Sequence, residues 1–130
     1  MLLRLLTLLV LALVPPFAAG SIAADALTLE ELIIELPKGK FNDRARIIEA
    51  IADTGDERAL GILEALVDGD LMQVKKTDDV VRVEKDGKNF NTFHPLTGDA
   101  LETLGKRKLR KIKINNKLRR AIATGIGKLT

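Results

Sequence analysis

From Asn42 to Gly69, aliphatic residues recur at helical spacing in two runs that only Thr54-Gly55-Asp56 separates. Ala45, Ile47, Ile48, Ile51 and Ala52 make the first run, and Ala59, Leu60, Ile62, Leu63, Leu66 and Val67 the second. Residues three and four apart share one helix face, so each run predicts a helix with an apolar side. So short a break leaves room only for an antiparallel return. Asn42 and Asp56 are the predicted N-caps, and Gly69 the stop. The second helix is apolar over a broad arc, which suits an element packed on more than one side.

The remaining composition limits what can surround these helices. The 130 residues include no Trp, no Tyr and no Cys, and aromatics are 3 %. The core must therefore be built from Leu, Ile, Val and Ala. Without Cys there is no disulfide framework, thiol nucleophile or thiolate metal site. The expectation is one α+β domain, mainly helical.

Residues 1–24 have the three parts of a secretory signal. Arg4 gives a positive start, Leu5 to Val14 is an apolar run broken only by Thr7, and Pro15-Pro16 ends it. Small residues from Ser21 to Ala24 offer cleavage after Ala23 or Ala24. The run is about half the ~20 residues that a spanning helix needs. The alternative is an uncleaved anchor. Residues 25–130 would then be the exported module.

Thr28-Leu29-Glu30-Glu31 is a capping box that opens a short helix, Leu29–Leu36, before Pro37. After Gly69 the pattern changes to β. Leu71–Val74 and Val80–Val83 are short strand-like runs around Thr77-Asp78-Asp79, and Asp86-Gly87 is a strong hairpin signal. Phe90, Thr92 and Phe93 continue the β character, and His94 to Asp99 reads as a turn. Leu109–Ile114 reads as a strand with one basic face, which closes a small antiparallel insert at about 71–114. Asn115 or Asn116 then caps a last helix with Leu118, Ala121, Ile122, Gly125, Ile126 and Leu129 on one face. That stripe runs unfinished to Thr130, with no evident partner for its last turn, as in an interrupted sequence.

Net charge is +3, but it is segregated. Asp25 to Gly105 carries 10 basic and 18 acidic residues, hence −8, and Lys106 to Thr130 carries 10 basic and no acidic ones. The densest part, Lys106 to Lys113, has no interleaved aromatics for base stacking, so nucleic acid is not expected as a partner. Anionic lipid is a weaker alternative to a solvated strand face, or one paired with the acidic segment. His94 is the only histidine, and it reads as a turn residue rather than a base or ligand. Gly125-Ile126-Gly127-Lys128 lacks the spacing of a phosphate loop. Glu30/Glu31, Asp53/Asp56/Glu57 and Asp78/Asp79 sit at helix starts and turns, where acids stabilise exposed N–H groups. No catalytic, cofactor-binding or metal residue is predicted.

Three segments carry a resemblance. Ile48 to Leu60 with Leu63 to Gly69 resembles a HEAT-like helical repeat. With Pro95-Leu96-Thr97-Gly98-Asp99, and then Lys111-Ile112-Lys113-Ile114-Asn115-Asn116-Lys117-Leu118-Arg119-Arg120-Ala121, the order resembles the periplasmic extension of urea ABC transporter permease subunits, a branch of the branched-chain amino-acid-type permeases. The resemblance covers the whole chain. It implies HEAT-like helix pairs with a β insert, and a truncated chain without the membrane-spanning pathway for urea or short amides. The implied partners are other transporter subunits and a periplasmic substrate-binding protein. Membrane contact would come only through the permease domain or an uncleaved signal. The alternative is a free-standing exported interaction module.

Overall fold

The computed structural model describes residues 27–130, so the signal reading of residues 1–24 lies outside the described residues. Three helices come first: α1 (Leu29–Glu35), α2 (Phe41–Asp53) and α3 (Ala59–Asp68). Five strands follow: β1 (Leu71–Val74), β2 (Val80–Asp86), β3 (Asn89–Phe93), β4 (Ala100–Gly105) and β5 (Leu109–Lys111). A 3-10 turn, Lys106–Lys108, joins the last two strands, and α4 (Asn116–Leu129) ends the series.

The capping box forms as the sequence predicts. The Thr28 N–H donates to Glu31 Oε1 at 3.0 Å, and the Glu31 N–H to Thr28 Oγ1 at 3.2 Å. The α2 cap differs from expectation. The helix begins at Phe41, and the Asp43 carboxylate takes the Lys40 N–H at 3.0 Å, so Asn42 lies inside the first turn. Gly39 allows this turn: its φ is +77°, and a Cβ there would lie 2.9 Å from Asp43 Oδ2. The α3 cap differs too: Arg58 holds the N-cap position before Ala59, and Asp56, ahead of it, accepts the Arg58 N–H at 2.9 Å and pairs with the Arg58 guanidinium at 2.7 Å.

These contacts hold three carboxyls below their usual range. Glu31 is lowered first by the Thr28 N–H, and Asp43 by the Lys40 N–H. Asp56 is lowered to about 2, chiefly by the Arg58 side chain. A carboxyl depressed in the folded state adds stability above its unfolded pKa, and that stability is lost as pH falls through the folded value. Melting temperature is therefore expected to hold steady above about pH 5 and to fall between about pH 4 and 2. Asp56→Asn should flatten the lower end of that fall in a pH series of thermal melts; an unchanged slope would contradict the Asp56 contribution.

The mainly helical expectation, with HEAT-like helix pairs, is corrected by the structure. It is 45 % helical and 24 % strand, a mixed α+β fold. A HEAT pair would make α2 and α3 each other's main partner. Instead α2 packs chiefly on α4, and α4 also packs on α3. The broad apolar arc of α3 is used as predicted, on more than one side, but its neighbours include α4 and β1. Leu118 and Ile122 of α4 are fully enclosed, and Ile126 and Leu129 pack half-buried against the same core. The expectation that the last turn lacks a partner is therefore also corrected. Gly125 sets the approach: a Cβ there would lie 2.9 Å from Leu63 Cδ1 and 3.2 Å from Ala52 Cβ. Gly125→Val is expected to cost about 2 kcal/mol by overpacking, read as a lowered urea midpoint.

The sheet is antiparallel throughout, in the order β4-β3-β2-β1-β5. The outer strands of a flat five-stranded sheet would lie about 19 Å apart. Yet only Lys106–Lys108 separate Gly105 of β4 from Leu109 of β5, and that stretch reaches at most about 14 Å. The sheet must therefore roll. Its concave face holds a second apolar cluster of Met72, Val81, Val83 and Leu109, with Val74, Phe90 and Leu104 against it. Its other face gives Leu71 and Val80 to the helical core, and Ile112 joins that core just beyond β5. Asp86↔Asn89 closes the hairpin around Gly87-Lys88, with Gly87 at φ +62°.

Candidate functional site

One concavity is lined by residues of α1 and of the sheet. It is a groove of about 980 Å³. Ile33 and Ile34 of α1 form one wall. Leu101 and Leu104 of β4 form the other, with Val74, Val80 and Val81 between them. The capping box and Pro37 fix the start and end of α1, and so fix which residues it presents to the groove. Leu36, Leu29 and Leu32 are buried beneath, which leaves Ile34 facing outward, 56 % exposed. Leu101 is 48 % exposed on the opposite wall. These two residues make the groove an apolar surface open to solvent rather than a closed pocket.

Its charged lining is one-sided. Glu30, Asp78, Asp79 and Glu102 line it, against Lys38 alone among the lysines and arginines. Asp78 adopts a left-handed conformation, φ +65°, which an Asp tolerates, and Gln73 Nε2 donates to its carbonyl at 3.2 Å. Among the described residues β4 pairs only with β3, so its outer edge presents unpaired backbone groups beside the groove. Thr92, opposite Val83, donates its hydroxyl to the Glu102 carbonyl and ties β4 to β3.

The residues weighed from sequence fall as follows. His94 stands in the turn at one end of the groove, where its Nδ1 accepts the Leu96 and Thr97 N–H groups at 3.1 and 3.2 Å. That nitrogen is engaged in shaping the turn. Gly125 to Lys128 lies inside α4. Among the described residues no group of three His, Asp or Glu side chains could hold a metal ion. Within the basic stretch Lys106–Lys113, the strand expected over Leu109–Ile114 is shorter than read. The first three residues of the stretch form the 3-10 turn, and β5 is only Leu109–Lys111. Among the described residues none of the stretch's basic side chains enters a salt bridge, which favours the solvated alternative over pairing with the acidic segment.

Two features were missed from sequence. One is β4, whose first four residues are exposed and so carry no apolar alternation. The other is Arg44, buried at 8 % exposure. It stands four residues before Ile48 and seven before Ile51, on the buried face of α2, and that spacing was the available signal.

Comparison with protein-family models, with curated proteins and with solved structures finds no match for this chain.

Proposed function

We propose that the chain serves as the extracytoplasmic N-terminal part of an ABC transporter permease subunit for urea or short amides, and that it works there by docking rather than by catalysis. The groove lined by α1 and β4 carries the docking reading, because two large aliphatic residues in its lining, Ile34 and Leu101, stand exposed. The occupant fits as an extended partner segment with apolar side chains and flanking Lys or Arg. Apolar side chains would cover Ile34 and Leu101, the cations would meet Asp79 and Glu102, and the backbone could add to the β4 edge. The periplasmic substrate-binding protein is the proposed bearer of that segment. The transporter context rests on the sequence resemblance.

Among the described residues no helix is long and apolar enough to cross a membrane. Any transport path would lie outside them. The second reading, a free-standing exported interaction module, is favoured by α4, whose Leu118 and Ile122 are enclosed by the module's own core. Both readings use the same groove.

Photocrosslinking in living cells tests the docking step. A photoreactive residue at Leu101 is expected to trap the binding protein, identified by mass spectrometry, while one at Lys85 on the β2–β3 hairpin is not. Equal yields at the two positions would remove the groove from the account.

A further inference from the structure

The chain enters α1 beside the groove. Thr28 is the N-cap of α1, and Glu30, two residues on, already lines the groove. Leu27, ahead of the cap, is 45 % exposed, so the backbone reaches the helix from the surface and not through the core. An extended chain gains about 3.3 Å per residue, so the thirteen residues between positions 14 and 27 can span up to about 43 Å. Length therefore does not limit which part of a groove of about 980 Å³ the preceding residues can reach.

The residues ahead of Leu27 match the lining in character. In residues 2–14 every position but Arg4 and Thr7 is aliphatic. Among the described residues four large hydrophobic ones stand exposed, and two of them, Ile34 and Leu101, line this groove. The charges are complementary as well. Arg4 is the only charged side chain in residues 1–24. Asp78, Asp79 and Glu102 line the groove, and none of them enters a salt bridge among the described residues. Glu30 is taken by Arg58 at 3.1 Å, and Lys38, the one lysine or arginine in the lining among the described residues, by Glu35 at 3.4 Å. The groove thus keeps a surplus of negative charge, which attracts a cation. A segment on the same chain meets its groove at about millimolar effective concentration, so even a weak apolar contact fills it.

We propose that, while residues 1–24 remain attached, residues 2–14 occupy the groove and close it to other partners. The proposal deepens the docking reading, on which its consequence rests. Cleavage after Ala23 or Ala24 would open the groove, so docking would follow export.

The chain has no Cys, so one introduced thiol reports on one position. Leu101→Cys and, as a reference on the β2–β3 hairpin, Lys85→Cys are made separately in the chain carrying residues 1–130, and labelling by a maleimide is timed. Each is compared with the same substitution combined with Leu8→Ser/Leu9→Ser/Leu11→Ser. Leu101→Cys is expected to label about tenfold more slowly with the native residues 2–14, as for a groove closed about nine tenths of the time. Lys85→Cys should label at one rate in both backgrounds. The slowing at Leu101→Cys should be the same at protein concentrations tenfold apart, because the occupant is tethered. Equal labelling of Leu101→Cys in the two backgrounds overturns the proposal. So does slowing that grows with protein concentration, which would place a second copy in the groove, and so does equal slowing at Lys85→Cys. A circular dichroism melt of each variant checks that it is folded. The labelling needs no partner, so its failure leaves the crosslinking test of docking standing, and a failed crosslink leaves the labelling result standing.

Discussion

Arg44→Ala is expected to lower the unfolding free energy by about 3 kcal/mol, since it strands polar groups that one buried cation now satisfies. The Arg44 Nε donates to the Leu36 carbonyl at 2.9 Å, and one terminal nitrogen to the Lys113 carbonyl at 2.8 Å. The other reaches the Pro37 carbonyl at 3.1 Å and that of Gly39 at 3.4 Å. Burial pushes the guanidinium pKa down. An Arg nonetheless keeps its charge at neutral pH, and the converging carbonyl dipoles and the Phe41 ring, 5.7 Å away, offset its desolvation. Arg44→Lys should recover little, because one ammonium cannot reach the carbonyls spread around the edge of the planar guanidinium. Urea unfolding reads the loss as a lower midpoint with an unchanged slope. A loss below about 1 kcal/mol would mean that water replaces the guanidinium and that the clamp is not structural.

Ile122→Ala is expected to cost about 3 to 4 kcal/mol, and Ile126→Ala clearly less. Ile122 is fully enclosed and belongs to the core built by all four helices with Leu71, Val80 and Ile112. It stands one turn before Gly125, where a Cβ on α4 would lie 2.9 Å from Leu63 Cδ1 and 3.2 Å from Ala52 Cβ. Neighbours held that tightly cannot collapse into the lost volume, so a cavity term adds to the transfer term. Ile126 is half-buried on the outer side of the same contact. The contrast between the two substitutions, read by chemical unfolding, checks that α4 is a central element of the core. Equal small losses would place it at the periphery.

The local signals were legible in the sequence. Thr28 and Glu31 cap each other because both partners lie within one turn, and Gly87 marks its hairpin through φ alone. What the sequence hid was non-local. Resemblance to a repeat paired α2 with α3 because they are consecutive, whereas the ridge of α4 that fills between them arrives about fifty residues later. Nothing in Ala100-Leu101-Glu102-Thr103 announces β4, since an edge strand beside solvent needs no apolar alternation. The groove was equally hidden, because α1 and β4 form its walls from opposite ends of the module.

Uptake of radiolabelled urea at limiting concentration measures whether the proposed docking at the groove serves transport. Cells carrying Ile34→Lys/Leu101→Lys replace both exposed aliphatic side chains with cations, which disfavour a segment's apolar side chains and repel its flanking Lys or Arg. Both residues are exposed, so immunoblots should show an unchanged amount of protein. Uptake is predicted to fall about tenfold, the effect of a loss near 1.4 kcal/mol in docking. Wild-type uptake from cells with normal levels of the double variant would contradict the account and leave the groove without a role in transport.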